Sequence, residues 1–356
     1  MNTLPNEYGP LVRELLKRAA ARRQPAYGTF ELTSRCNLSC SMCYVNRPAG
    51  DTSIKNKELS SDSWILLARE AADSGMVFLL LTGGEVFLRS DFFQIYEPLT
   101  RMGLILTIFT NGTLISDAIA DRLSQSPPNR VEISLYGASA STYEAVTGVR
   151  GSYKRCCKGI EALIKRQIPL GLKTIITTRN VNELSAMKEM AKAWGVSFIS
   201  SWLLSKRSDG QPSDVENLRL AAADCVTIQV SEKTLANSWE EAALLESSDN
   251  KDKNFYCLAG KAAFVISPSG KMNVCLDLPL PAAQPLEVGF EAAWNEVQRF
   301  TDAAPPPSTA CIACDSRIYC GRCPAWSYLE TGTLTEPVPY WCEIAHQRKI
   351  YYSNNG

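Results

Sequence analysis

Three cysteines near the start of the chain have the types and spacing to do chemistry. Cys36, Cys40 and Cys43 form a C-x3-C-x2-C arrangement directly after a β-prone segment, Tyr27 to Thr33. Three thiolates on one short loop can hold three irons of a [4Fe–4S] cluster and leave the fourth iron open. The alternatives are a zinc knuckle or buried structural thiols. Structural zinc takes four closed ligands, and no fourth candidate lies nearby, so the spacing favours the cluster.

A second set of cysteines occupies the C-terminal third of the chain. Its spacing is C-x12-G-x4-C, a gap, C-x2-C-x5-C-x2-C, a gap, and a last cysteine. The glycine, Gly270, lies in a stretch that predicts a hairpin turn. Two C-x2-C pairs alone would also suit a double zinc ribbon. The seven residues are Cys257, Cys275, Cys311, Cys314, Cys320, Cys323 and Cys342.

The elements that must position these cysteines follow a regular alternation. After an N-terminal helix (residues 1–26), about six βα units occupy residues 27–205, with apolar strands typical of a parallel sheet covered by helices. Six units are too few for a closed eight-stranded barrel, so we predict an α/β fold with a partial (β/α)6 TIM-like barrel. A helical bridge (206–250) and a small cysteine-rich domain (251–356) with a β-hairpin and short helices should follow.

Composition narrows the class of protein. The chain has 13 cysteines and one histidine, His346, which suits thiolate-held clusters better than a histidine-rich zinc enzyme. Lys+Arg and Asp+Glu are equal at 37 each, so nothing indicates a nucleic-acid partner. We find no apolar run long enough for a membrane span and no signal peptide, which predicts a cytoplasmic location without a membrane partner.

Two motifs at predicted strand ends complete the pattern: Gly83-Gly84-Glu85 and Ser134. With the cysteine loop, they resemble the radical S-adenosylmethionine (SAM) superfamily, in which a GGE motif contacts the SAM amino group. Val86 departs from the family, where proline often follows. The resemblance implies a set of SAM-pocket candidates. These are Met42, Gly83, Gly84, Glu85, Asn111, Ser134 and Arg150. A turn former at Asn111, a plain strand end at Ser134 and a surface side chain at Arg150 are the alternatives.

The second set of cysteines resembles the SPASM domain of the same superfamily, although the two-residue gap between Cys320 and Cys323 is shorter than usual. That resemblance implies two auxiliary [4Fe–4S] clusters and therefore three clusters in all. One would be closed by Cys311, Cys314, Cys320 and Cys342. The other would be held by Cys257, Cys275 and Cys323, and either keeps an open iron or is closed by Cys225. Asp277 is a candidate general base, displaced by one residue from the family position, or a solvated turn residue.

The resemblance also implies the activity. SAM would be cleaved reductively to a 5′-deoxyadenosyl radical that abstracts hydrogen from a ribosomally synthesised peptide, giving a crosslink, an epimerisation or an oxidation. An electron donor such as flavodoxin or ferredoxin would be needed. Because only about 26 residues precede the first strand, we expect a separate leader-peptide-binding protein or leader recognition by the barrel.

Two other functions remain open at this point. One is a dehydrogenase or epimerase of a small molecule, such as an aminoglycoside-type sugar, or of a protein side chain. The other is a non-catalytic electron carrier, which would have no use for the GGE motif.

Overall fold

The structure, a computed structural model, describes residues 8–45, 47–231 and 254–355. Its centre is a nine-stranded sheet in the order β11-β10-β9-β1-β4-β5-β6-β7-β8, with β2 and β3 as a separate parallel pair. The strands are β1 (Tyr27–Thr33), β2 (Arg35–Cys36), β3 (Arg47–Pro48), β4 (Phe78–Gly83), β5 (Ile105–Thr110), β6 (Arg130–Ser134), β7 (Leu170–Ile175), β8 (Ser197–Ser201), β9 (Ala263–Ile266), β10 (Met272–Cys275) and β11 (Leu278–Ala283).

Six neighbouring strands, β1 and β4 to β8, run parallel and form the predicted partial barrel. Every strand predicted from the sequence in this part of the chain is present, with ends shifted by a few residues at most. The α/β fold with an open, partial TIM-like barrel is therefore confirmed.

Helices cover the outside of this sheet, and several begin at a serine whose side chain caps the first turn. Ser60 Oγ, for example, accepts a hydrogen bond from the Ser63 N–H at 3.2 Å. The helices are α1 (Tyr8–Ala21), α2 (Thr52–Lys55), α3 (Ser61–Asp73), α4 (Phe92–Thr100), α5 (Asp117–Gln125), α6 (Ala140–Thr147), α7 (Ser152–Lys165), α8 (Leu184–Ala193), α9 (Val215–Leu218), α10 (Ala222–Ser231), α11 (Pro285–Val288), α12 (Phe290–Asp302), α13 (Thr309–Ile312), α14 (Pro324–Thr331) and α15 (Pro339–Asn355).

The alternation of side chains along β1 separates the core from the barrel interior. Phe30 and Leu32 are fully buried in the main apolar core, and Phe30 lies against Trp64 of α3 with ring centroids 4.9 Å apart. Because successive strand residues point to opposite faces, Glu31 and Thr33 face the interior. The carboxyl ends of parallel strands meet at one edge, which is where barrels of this kind place their active sites.

The cysteine-rich segment continues the barrel sheet. β9 pairs in parallel with β1, from Tyr27 opposite Ala263 to Phe30 opposite Ile266, and β10 pairs antiparallel with β9. Gly270 stands in the turn between β9 and β10 with a φ of 87°, as the predicted hairpin requires. The predicted domain boundary at residue 250, and the bridge beyond Ser231, lie outside the described residues.

Within the described ranges, no helix has the length and apolar character needed to cross a membrane.

Candidate active site

The first cysteine loop leaves the carboxyl end of β1 and is fixed to the turn after α6. The Ser39 N–H donates to the Thr147 carbonyl at 2.8 Å, and the Ser41 N–H donates to the Val146 carbonyl at 3.1 Å. A Cβ on Gly148, whose φ is 68°, would lie only 3.0 Å from the Ser39 carbonyl oxygen. The loop is therefore anchored by backbone contacts to a neighbouring βα unit.

The three thiols of this loop are close enough for the charge of one to raise the pKa of another. Burial raises the pKa of Cys36 to about 12, and the charge of Cys43 contributes in the same direction. Burial likewise raises the pKa of Cys40, reinforced by Cys43 and Cys36. Iron binds thiolates and would displace these protons, so three neighbouring, partly buried thiols fit the donor set of a [4Fe–4S] cluster with one open iron.

Asn111 lies beside the first of these cysteines. Its Nδ2 points to Cys36 Sγ at 3.6 Å and donates to Asn37 Oδ1 at 2.9 Å. Its Oδ1 accepts from the Thr113 hydroxyl at 2.6 Å and from the Thr113 N–H at 2.9 Å. The structure thus places Asn111 against a candidate iron ligand, so this residue does more than form a turn.

The GGE segment packs against the start of the cysteine loop. The Gly84 N–H donates to the Thr33 carbonyl at 2.7 Å and the Glu85 N–H donates to the Arg35 carbonyl at 2.9 Å. A Cβ on Gly84 would lie 2.3 Å from the Arg35 carbonyl oxygen, and one on Gly83 would lie 2.2 Å from that of Thr33. The two glycines therefore allow β4 to approach the loop that carries Cys36.

Both carboxylate oxygens of Glu85 accept hydrogen bonds from neighbouring groups of the protein. The side chain is fully buried, and its carboxylate accepts hydrogen bonds from the Thr110 hydroxyl at 2.7 and 2.9 Å, the Asn111 N–H at 2.8 Å and the Phe87 N–H at 3.1 Å. Burial raises its pKa. These bonds connect the end of β4 to the end of β5, and the predicted contact of the GGE motif with the SAM amino group stays a prediction.

The other SAM-pocket candidates divide into two groups. Burial raises the pKa of Tyr136, and the charges of the three loop cysteines add to this rise while the Ser134 side chain opposes it, so both residues lie near the cysteine loop. Met42 is buried in an apolar cluster with Val146 and Leu204, and its place in the SAM pocket stays a prediction. Arg150 is exposed, and no hydrogen bond or ion pair in the described part of the chain holds its guanidinium, so its predicted role gains no support.

A buried ion network next to Cys36 was missed at the sequence level. Arg35 donates to Glu58 through Nε at 2.8 Å and through NH2 at 2.9 Å, and Arg89 NH1 lies 3.6 Å from the same carboxylate. Glu58 is far from Arg35 in the sequence and stands in a short loop, so no periodic pattern points to this contact.

Four of the C-terminal cysteines surround one cavity of about 320 Å³: Cys311, Cys314, Cys320 and Cys342. Burial raises the pKa of Cys342, and the charges of Cys311 and Cys314 add to this rise. These are the four residues that the SPASM resemblance assigned to one auxiliary cluster, and a donor set of four thiols around one cavity fits such a group.

The remaining three cysteines form another group. Burial raises the pKa of Cys275 and Cys323, and the charges of Asp277 and Cys257 act on both. Asp277 lies half-buried in the turn between β10 and β11, where its carboxylate accepts a hydrogen bond from Trp326 Nε1 at 2.9 Å, and its role as a general base stays a prediction. Cys225 is buried on α10 with its Sγ 3.4 Å from the Tyr340 hydroxyl, so the alternative in which it closes this cluster gains no support.

A site for a single metal ion differs from a site for an iron–sulfur cluster. Across residues 8–45, 47–231 and 254–355, no three His, Cys, Asp or Glu side chains converge on a point where one metal ion could bind. Zinc would draw its four ligands around one ion. The cysteine groups of the described residues are more open than that.

Comparison with known proteins decides between these interpretations. Residues 30–192, which contain the cysteine loop, the GGE segment, Asn111 and Ser134, match the Radical SAM superfamily. The chain contains a radical SAM domain. It is a radical SAM enzyme, and the domain implies a [4Fe–4S] cluster and SAM as cofactors.

Several proteins are similar to this radical SAM enzyme over most of its length. The AdoMet-dependent heme synthase of Methanosarcina barkeri is 28% identical over 90% of this chain and 97% of its own. The sporulation killing factor maturation protein SkfB of Bacillus subtilis is 28% identical over 72% of this chain and 62% of its own. Streptococcus suis SuiB, in a crystal structure with its precursor peptide SuiA, superposes with a TM-score of 0.68 over 96% of this chain and 82% of its own at 15% identity, which supports the fold.

Proposed function

We propose that this radical SAM enzyme modifies a ribosomally synthesised peptide. The observation that carries this proposal is the cysteine loop at the mouth of the barrel, backed by Asn111 and facing the β9–β10 hairpin segment with its own cysteines. Similarity to the maturation protein SkfB along most of the chain supports a peptide substrate. SuiB, whose fold this chain shares, is itself known with a precursor peptide bound.

The cofactor set would comprise three [4Fe–4S] clusters. Cys36, Cys40 and Cys43 would hold the one that binds SAM. The four cysteines of the 320 Å³ cavity would hold a second cluster. Cys257, Cys275 and Cys323 would hold a third, with an iron left open by the cysteines. When bound and reduced, the SAM cluster supplies a 5′-deoxyadenosyl radical that abstracts a hydrogen atom from the substrate, giving a crosslink, an epimerisation or an oxidation.

The chain's own residues would orient and shield that chemistry. Glu85 and the two glycines before it hold the strand ends against the cysteine loop, and the barrel wall excludes water from the reacting groups. Asp277, beside Cys275, is the candidate proton acceptor. An electron donor such as flavodoxin or ferredoxin and a leader-binding protein remain proposed partners. The ligand cysteines must stay reduced, which supports a cytoplasmic location.

The test is direct. Reconstituted enzyme, SAM and a reductant are incubated without oxygen with a short peptide encoded beside this gene, and the peptide mass is read. Loss of two hydrogens indicates crosslinking or oxidation, whereas an unchanged mass with solvent deuterium incorporated indicates epimerisation. Cys40→Ser, which removes one ligand of the SAM cluster, should abolish the product, and Cys157→Ser on α7 should not. SAM cleavage without any peptide product would refute the peptide proposal.

A second candidate function follows from the heme synthase. That relative aligns along 97% of its own length and 90% of this chain, compared with 62% and 72% for SkfB. The discriminating assay offers the same reconstituted enzyme a porphyrin precursor and reads haem formation by absorption and mass. Haem formation with no peptide product would favour this candidate.

A further inference from the structure

A second cavity, of about 230 Å³, opens between the end of β1 and the β9–β10 hairpin. It is smaller than the roughly 300–1,000 Å³ of pockets that enclose whole drug-sized ligands, so it suits one side chain or one functional group. Its walls combine apolar side chains, among them Ile54 and Leu276, with polar or thiol side chains from Glu31, Ser34, Ser208, Ser267, Asn273 and Cys275. The cavity therefore borders the first cysteine loop on one side and a candidate cluster ligand on the other.

The sheet explains why these residues share one cavity. Met272 and Val274 of β10 lie in the same apolar core as Phe30 and Leu32 of β1. Alternation then places Asn273 on the opposite face, which is the interior face that Glu31 also occupies. Because β9 joins β10 to β1, residues from the two ends of the chain form one concave wall.

Glu31 is a buried carboxylate without a cationic partner. Its side chain accepts a hydrogen bond from the Tyr44 hydroxyl at 2.7 Å, and no Lys or Arg of the described residues forms an ion pair with it. Burial raises the pKa of Glu31 to about 7, and the nearby charge of Asp277 adds to this rise. Lys57 also borders the cavity, but it is exposed at the rim. Burying a carboxylate in this way is costly unless a positive group joins it.

The side chain of Asn273 indicates independently that this cavity lacks a hydrogen-bond donor. Only 7% of the residue is exposed, and no donor among the described residues hydrogen-bonds its buried Oδ1. Buried polar atoms in native structures are nearly always paired, so an unpaired acceptor on a cavity wall calls for a ligand that donates. Glu31 and Asn273 both need N–H groups.

We propose that this cavity binds a protonated alkyl amine of the substrate, such as a lysine side chain, with Glu31 and Asn273 Oδ1 as acceptors. The inference rests on the proposed function, because it names the substrate class of that peptide enzyme. An ammonium carries three donors and a positive charge, which matches one buried carboxylate and one unpaired carbonyl oxygen. The amine is held beside Cys275 and close to the cysteine loop, within the part of the barrel where the reaction would occur.

The experiment uses the cluster-loaded enzyme with SAM and two probes, Nα-acetyl-lysine methylamide and its norleucine counterpart, which lacks the ammonium. Equilibrium dialysis without oxygen measures both affinities. We expect the lysine probe to bind roughly tenfold more tightly or better, the size of a charge-assisted hydrogen bond. Glu31→Gln should bring the two probes to within about twofold, and Asn273→Ala should reduce the preference in part. Glu291→Gln, on the exposed face of α12, is the matched control and should keep the preference.

Cluster absorbance and the thermal midpoint check that each variant is folded, and Asn273→Ala retains the charge if Glu31→Gln is unstable. Equal binding of the two probes by wild-type enzyme would overturn the subsite, as would an unchanged preference in both variants. If the enzyme prefers the lysine probe but forms no peptide product, the amine subsite is supported and the peptide function is refuted. If it modifies a peptide but shows no preference for the lysine probe, the peptide function is supported and the amine subsite is refuted.

Discussion

Glu58→Gln tests whether the buried ion network holds the cysteine loop in place. Arg35 directly precedes Cys36, and its guanidinium is bound to Glu58 by two hydrogen bonds of 2.8 and 2.9 Å. The exposed fraction of the side chains is 8% for Arg35 and 6% for Glu58. Apart from Glu58, the Arg35 guanidinium donates to the Ala49 carbonyl at 3.2 Å. Neutralising Glu58 therefore leaves a buried positive charge next to an iron ligand.

The expected cost follows from this geometry. Removing one partner of a buried ion pair costs about 3–5 kcal/mol. We expect about 3 kcal/mol, at the lower end of that range, because glutamine retains one acceptor and Arg89 keeps its own pairing with Asp91 at 2.7 Å. For a chain of this size a urea m value of about 3 kcal/mol per molar converts this cost into a midpoint shift of about 1 M.

Anaerobic urea unfolding of reconstituted protein, followed by tryptophan fluorescence, measures that shift, and iron content reports on the loop. Glu14→Gln is the control, since Glu14 pairs with Arg18 on the exposed surface of α1 and should leave the midpoint unchanged. A Glu58→Gln change within about 1 kcal/mol of wild type, the scale of a surface ion pair, would refute the idea that this network stabilises the loop.

Three further predictions test separate parts of the structure. Gly84→Ala places a methyl group 2.3 Å from the Arg35 carbonyl oxygen, so SAM cleavage should be lost while part of the iron content remains; full activity would contradict the close approach. Cys342→Ser should lower iron by about four atoms per chain, whereas Cys225→Ser should leave it unchanged, and equal losses would contradict the assignment. The pKa of Glu31 is raised from 4.5 to about 7, so the unfolded chain releases this proton first and the folded state loses stability as pH rises between those values. The stability of Glu31→Gln relative to wild type should therefore increase from pH 5 to pH 8 and reach about 3 kcal/mol at pH 8, as measured by thermal unfolding at each pH. A stability difference that does not change with pH would contradict the raised pKa.

Local patterns in the sequence were sufficient to predict the barrel. Apolar runs predicted the six parallel strands, and Ser60 and Ser116, which cap two helices in the structure, are of the residue type that favours helix starts. Cysteine spacing pointed to the superfamily. Helix α6 was missed because its residues, from Ala140 to Thr147, include several Ser, Thr and Val that carry little helical signal.

Long-range contacts could not be predicted from the sequence. Nothing in residues 27–33 indicates pairing with β9, and a glutamate in an alternating strand is expected whether it faces solvent or a cavity. The same holds for Asn111, whose contact with Cys36 depends on how β5 and the cysteine loop are brought together. Glu85 belongs to a motif that the sequence did reveal, but the hydrogen bonds that its carboxylate accepts from Thr110 and Asn111 depend on the folded chain.

The pairing of β9 with β1 also constrains how this protein is made. During synthesis the barrel strands from β1 to β8 leave the ribosome long before β9 does, so the outer edge of β1 has no neighbour for most of that time. Unpaired strand edges are sites of aggregation. The pairing of β9 with β1 joins residues that are far apart in the sequence, so it forms slowly. A nascent chain of this protein would thus depend on chaperones or on slow expression until the hairpin arrives to cover that edge.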